Sequence, residues 1–469
     1  MANCVVEQAP AFQSFPVGQD VIFVVSNLDA VANQIQVKFV AEVHISTNQI
    51  NPSSVNDIIG TFKTTPNNAG VGIFNLRNVL ENYVKADHIA SSNAIFNGAT
   101  PSVDLPVHLI DAFSKSTDIL RYLAIQFKVE YLDQVSGSST FGQLITTGSV
   151  NTTSYMFWNG YVKYTDIISV SSTGSFGYNP GSFFPDNATR RYLTNAPTTQ
   201  YANVEDYGTL AFLNLTAGQR GDTVRVTITA YNAAGTAYGT TETVTGTATN
   251  GYNNAHNALV ENKLIYFGAF PANLQGTWWD GAISFGMTHY VLQMEDTTGT
   301  DTLEPVTIYI NCPNTQGYES VRLCWLNQWG AWDYYTFTQK SVRTISTQGS
   351  TYTQLNGTWN EATYKYANQN GGKKSFRRNA TEKLTINTDF ITENYNVMFE
   401  ELMNSPEVYI LQGTQAATSS GIYSYELSQY VTPTRVVNSS FVKKTKANDQ
   451  LIQYTFEVEK SKTLRTQTI

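Results

Sequence analysis

Between Gln34 and Ile45 the chain reads QIQVKFVAEVHI, with Ile35, Val37, Phe39, Ala41, Val43 and Ile45 at every second position. A period of two puts these side chains on one face of a pleated strand and leaves the other face wet. The same signature recurs in DVIFVVS (Asp20 to Ser26), LAIQFKVEY (Leu123 to Tyr131) and TVRVTITAY (Thr223 to Tyr231), and predicts strands there. The densest case is Val321 to Phe337, VRLCWLNQWGAWDYYTF. Val321, Leu323 and Trp325 alternate along one arm, Asn327 to Gly330 has turn chemistry, and Asp333 to Phe337 returns, so the stretch predicts a hairpin.

Helical periodicity is scarce. Asn75 can cap a short helix through Leu76, Val79, Leu80 and Tyr83. The best helix is Phe390 to Asn404, whose apolar positions are Phe390, Tyr395, Val397, Met398, Leu402 and Met403, with Pro406 as its stop. Further strands are expected at Thr153–Tyr164, Tyr207–Leu215, Ala237–Val244, Leu264–Phe270, Ala282–Phe285, Thr288–Glu295, Val306–Ile310 and Val408–Leu411. Phe441–Lys446 and Leu451–Val458 are expected to close a terminal hairpin around Ala447-Asn448-Asp449. The fold class is therefore mainly β: two or three antiparallel β-sandwich-like domains with one or two short helices.

At 469 residues the chain exceeds one ordinary sandwich. The expected divisions are an N-terminal β-domain over 1–166, a linker or ordered loop over 167–200, a central antiparallel domain over 201–340, and a C-terminal α+β segment over 341–469. Ser169 to Pro185 is the most linker-like stretch.

Only 14% of the residues are charged and 13% are aromatic, a balance suited to β-rich surfaces kept soluble by amides and hydroxyls. The formal net charge of -8 argues against nucleic acid as the main partner. About half of the Lys and Arg nevertheless lie beyond Lys340. No apolar run approaches the ~18 residues of a membrane helix, and MANCVVEQAPAFQ lacks the features of a signal peptide. Folding in a cytoplasm without membrane insertion is expected. In that setting the sequons Asn151-Thr152-Thr153 and Asn187-Ala188-Thr189 reflect composition alone.

Catalytic chemistry is hard to find. Cys4, Cys312 and Cys324 form no disulfide framework and are expected as reduced, buried thiols, although Cys312 and Cys324 could face each other across strands. His44, His88, His108, His256 and His289 lack metal-ligand spacing, so no metal or cofactor is expected. Nucleophile-elbow, phosphate-loop and dinucleotide motifs are missing. Glu400 and Glu401 are adjacent on a helix and point apart, unlike the facing pair of a glycosidase. No enzyme activity is expected.

Three groups are candidates for a contact surface. Trp278, Trp279 and Asp280 pair indole faces with a carboxylate, as a sugar site does; buried tryptophans at a turn are the simpler explanation. Trp329, Trp332 and Asp333 lie at the hairpin turn, where a glycan, another chain or the domain itself must cover the indoles. Lys373, Lys374, Arg377 and Arg378 surround Phe376 in a turn-rich basic loop, Tyr366 to Arg378, suited to an acidic partner or simply to solvent.

Taken together, VRLCWLNQWGAWDYYTF, the segment SSFVKKTKANDQLIQYTFEVEKSKTLRTQTI and ENYNVMFEELMNSPEVYI resemble structural proteins of tailed bacteriophages from marine and Bacteroidetes-infecting groups. The early segment IGTFKTTPNNAGVGIFNLRNVLENYV is similar to the start of such proteins. The resemblance covers most of the chain and is thin over Ser169 to Gln200. It implies a virion component made in the host cytoplasm, a homo-oligomer in contact with other virion proteins in the tail, baseplate or neck. A glycan- or host-receptor-binding module of the tail is the alternative. It implies no catalytic residues.

Overall fold

Most of the period-two stretches are strands in the computed structural model, and strand length follows the run of alternation. The structure describes residues 2–47, 58–91, 94, 96, 104–164, 179–183, 190–214, 224–245, 263–296, 302–311, 317–358, 361–411, 430–445 and 452–462. The protein is mainly β, built from several largely antiparallel sheets with a few short helices. It divides into two compact units. The first comprises Met1–Ile310, Asn327–Asp333 and Ala417–Ser424; the second comprises Asn311–Leu326, Tyr334–Ala416 and Tyr425–Ile469. These boundaries do not fall at 166, 200 or 340. One reason is that strand Phe113–Lys115 pairs with Lys263–Gly268, which also pairs with Thr209–Asn214, so a sheet joins regions expected to be separate.

In the first unit, strand Ile35–Ser46 lies between Leu120–Leu132 and Ile58–Thr64. Tyr155–Trp158 and Leu144–Asn151 occupy the other edge of Leu120–Leu132. A smaller sheet of Val5–Gln8, Ile22–Ser26 and Val71–Asn75 supplies the opposing layer. Phe23, Phe39, Phe74, Phe127, Val129 and Phe157 share one core, with Phe127 ringed by Phe23 at 5.8 Å and Phe74 at 5.6 Å. Gly72 lets the layers close: a Cβ there would lie 2.6 Å from the Phe39 ring. Another sheet of this unit is ordered Thr199–Ala202, Val306–Ile310, Met287–Asp296, Val224–Asn232, Glu242–Thr245.

The second unit is organised on a sheet ordered Trp332–Phe337, Val321–Leu326, Val408–Leu411, Val431–Val436, Thr455–Lys460, Gly372–Asn387, Val342–Gln354. Helix Tyr395–Asn404 covers it through Phe399, whose ring lies 5.0 Å from Tyr335 and 5.3 Å from Phe456. Ser405 turns extended and Pro406 follows, so the helix stops where expected, although it begins only at Tyr395. The early helix is Arg77–Leu80, and Asn75 Oδ1 accepts the Arg77 N–H at 3.2 Å.

Several sequence expectations are corrected. Thr277–Ser284 is a helix, replacing both the strand expected at Ala282–Phe285 and the turn expected at Trp278–Asp280. Trp279 and Ala282, three residues apart, share its buried face, and Gly286 at φ 88° ends it in the left-handed conformation. The return strand of the Val224–Asn232 hairpin starts only at Glu242. No terminal hairpin occurs among the described residues: 441–445 is irregular, and Thr455–Lys460 pairs with Gly372–Asn387 and Val431–Val436. Within the expected basic loop, Lys373 to Arg378 belong to a strand. Most of Ser169–Pro185, Asn187, His256, Cys312, Ala447-Asn448-Asp449 and most of the tail lie outside the described residues.

Candidate interaction surface

The turn of the aromatic hairpin belongs to the interior of the first unit. Asn327 builds it: its Oδ1 accepts the N–H groups of Trp329 and Ala331, each at 3.0 Å, and its own N–H donates to Ala331 O. Gly330 is required twice over, by φ 81° and because a Cβ would lie 1.8 Å from Asn159 O. Trp329 is 6% exposed; its indole N–H donates to Asn195 Oδ1, and Phe183 packs on it at 4.7 Å. Trp332 is 3% exposed, donates to Asp87 O at 2.9 Å, and lies against the rings of His88 and His108. The expectation of a contact surface at Trp329, Trp332 and Asp333 is therefore corrected; the domain itself covers the indoles.

Two buried carboxylates brace this tip. Asp333 Oδ1 accepts from Thr194 Oγ1 at 2.5 Å and Asn327 Nδ2 at 3.1 Å, while its Oδ2 has no hydrogen-bond partner among the described residues. Burial pushes its carboxyl up to about 6, against those two hydrogen bonds. Asp87 is raised as well, because burial outweighs hydrogen bonds from Asp118 N–H, both Thr117 donors and the Tyr266 hydroxyl. Both groups hold structure in place by fixing loops from distant parts of the chain.

The helix Thr277–Ser284 separates the proposed sugar-contact residues. Trp279 is buried against Tyr290, Trp278 is half-buried with its indole N–H donated to Thr240 O, and Asp280 is exposed. The three do not form one platform. A cleft of about 410 Å³ lies instead on the wet face of strands Ile35–Ser46, Ile58–Thr64 and Leu120–Leu132, rimmed by Thr146, Thr147 and Ser149. Its floor holds two ion pairs, Lys63 with Glu130 at 2.5 Å and Lys128 with Glu42 at 2.7 Å. Glu130 is buried and its Oε1 has no partner among the described residues. No group of three or more metal-ligating side chains occurs among the described residues, and no described helix is long and apolar enough to cross a membrane.

The four basic residues do come together, on a feature that alternation alone did not reveal. Val342–Gln354 and Gly372–Asn387 pair over their whole length as an antiparallel ribbon ~40 Å long at ~3.3 Å per residue. Only Lys383 to Asn387 pair onward to Thr455–Lys460, so the rest runs free of the sheet. An ion network anchors its base: Arg343 reaches Glu319 and Glu382, and Lys460 reaches Glu382. Beyond Glu382, Val342–Gln354 is exposed on alternate and intervening positions alike, so neither face is covered. Phe376 is an extra residue between the Ser350–Arg377 and Thr351–Ser375 pairs, a bulge that leaves it 60% exposed. Across this register Arg377 and Lys374 share one face and Arg378 and Lys373 the other. Lys373, Arg377 and Arg378 have no carboxylate partner among the described residues, and Lys374 donates to Gln369 O. Gly349 admits the Arg378 stem, since a Cβ there would lie 3.1 Å from Arg378 Cγ.

No protein-family model matches the chain, and no curated protein matches its sequence. The residues missed by sequence reasoning are those of the partner strand, above all Ile345, Gly349 and Tyr352. Their signal was the β-branched, hydroxyl-rich run VRTISTQGSTYTQ, which lacks a clean apolar face.

Proposed function

We propose that this chain is a structural subunit of a tailed-phage virion, in the tail, baseplate or neck, and that it acts through contacts with other subunits. The observation that carries the reading is the ribbon of Val342–Gln354 and Gly372–Asn387, paired along its length and, beyond Glu382, exposed or half-buried on both faces. A two-stranded ribbon is marginal in water, so its natural state is one in which another surface covers it. The resemblance of the aromatic hairpin and the C-terminal segment to virion proteins supports the same reading, as does the surface of amides and hydroxyls. On this reading the protein is made in the host cytoplasm, carries no catalysis, and works in the particle.

A glycan- or receptor-binding role is the second reading, favoured by one feature: the polar cleft over Glu42, Lys63, Lys128 and Glu130, whose charged side chains form its floor. Light scattering of the purified protein, alone and with the other particle proteins, followed by a glycan screen, decides between them. A defined oligomer or co-complex without glycan signal supports the structural role. A monomer that binds particular glycans and loses them on Glu130→Gln overturns it.

A further inference from the structure

The ribbon's charge points to the identity of its partner. The first unit carries 25 Asp and Glu against 13 Lys and Arg, a net of -12; the second carries 16 Lys and Arg against 12 Asp and Glu, a net of +4. From Ser346 to Thr381 the sequence has five cations and one anion, Glu361, which pairs with Lys365. The distal ribbon is thus a cationic arm, with four side chains that have no carboxylate partner among the described residues, on an otherwise acidic protein. We infer that this arm docks on the acidic first unit of a second copy of the same chain, using Lys373, Lys374, Arg377 and Arg378. The inference rests on the assembly reading above and names its partner.

Three observations favour a protein partner over nucleic acid. A polyanion reaching four cations would also meet the field of a chain with a net charge of -8, which repels it. The arm also carries apolar anchors at the same end: Leu355 is 69% exposed, Tyr366 64% and Phe376 60%. Large apolar side chains beside cations suit a protein surface that offers both acid and hydrocarbon. Size fits as well. The free part, 346–354 against 372–381, is ~30 Å long and ~10 Å wide, so its two faces offer ~600 Å². The tip residues bring this near the ~800 Å² per partner of a stable interface.

The test uses the full chain. Light scattering across protein and NaCl concentration is compared with the quadruple charge reversal K373E/K374E/R377E/R378E and the neutral K373Q/K374Q/R377Q/R378Q. All four side chains are exposed or half-buried on the ribbon, and circular dichroism checks that each variant is folded. Self-association that weakens with salt, is lowered about a hundredfold by the reversal and falls between the two for the neutral variant, is the expected result. Carbodiimide cross-linking of mixed light and heavy isotope protein should join Lys373 or Lys374 to Asp or Glu of the first unit in mixed-isotope pairs. An oligomer that ignores both variants and whose cross-links avoid the ribbon overturns this inference and leaves the assembly reading standing. So does an arm that engages only a different particle protein. Binding of a single-stranded oligonucleotide that is lost on charge reversal, without self-association, assigns the arm to nucleic acid and overturns it too. A chain that stays monomeric alone and with every other particle protein removes both readings.

Discussion

Asp333→Asn isolates one buried carboxylate whose effect can be worked out in advance. In an unfolded chain Asp333 titrates near ~3.9, whereas burial pushes it up to about 6 in the folded protein. The native state therefore binds this proton more tightly than the unfolded state. Its contribution to stability is complete below the unfolded value and is lost as pH rises through the folded one. The full contribution is about 3 kcal/mol, present below about pH 3.9 and gone above about pH 7, and about 1 kcal/mol of it disappears between about pH 5 and 7.5. Asparagine keeps the acceptor for Thr194 and Asn327 but cannot ionise. Its new N–H₂, placed where Oδ2 lacks a partner, costs ~1–3 kcal/mol at every pH, so the informative quantity is the pH dependence of the difference. Urea unfolding followed by tryptophan fluorescence at about pH 5 and 7.5 measures it. The variant should gain about 1 kcal/mol on the wild type between the two pH values. Parallel stabilities at both, or a gain in the opposite direction, would refute the placement of a strained carboxylate at the hairpin tip.

Other perturbations address the same architecture. Trp332→Ala should cost ~3–5 kcal/mol in urea unfolding, and Trp332→Phe, which keeps an aromatic ring but loses the bond to Asp87 O, distinctly less. Gly330→Ala places a methyl group within 1.8 Å of the backbone oxygen of Asn159 at a left-handed φ, so soluble yield and melting temperature should fall further than for Gly235→Ala, which has the same sign of φ and open space around it. Cys4 and Cys324 are buried and burial raises both thiols, so mass-mapped alkylation at neutral pH should leave them unmodified until urea unfolds the chain. Rapid native labelling of Cys324 would contradict its position in strand Val321–Leu326.

The sequence by itself determined the local elements. Alternation fixed Ile35–Ser46 and Leu120–Leu132, because a half-buried strand can satisfy its pleat only with a period of two. The two arms of the aromatic hairpin, buried on both faces, were marked by their apolar and aromatic residues either side of a turn. Asn327 and Gly330 marked the turn, and Pro406 marked the end of the long helix, since each acts on the backbone within a few residues of itself. Local pattern misread TWWDGAIS as a turn at Trp278–Asp280 leading into a strand at Ala282–Phe285, whereas burial of Trp279 with Ala282 selected a helix. The tertiary structure alone decided what covers each face. Trp329 and Trp332 look equally suited to a ligand or a core until Asp87, Phe183 and Asn195 arrive from far away in the chain to cover them. Conversely, Lys373 to Arg378 read as a loop until pairing with Val342–Gln354 made them one edge of an uncovered ribbon. Strand partners are chosen by burial and register summed over distant segments, and a period read along one segment carries no record of that choice.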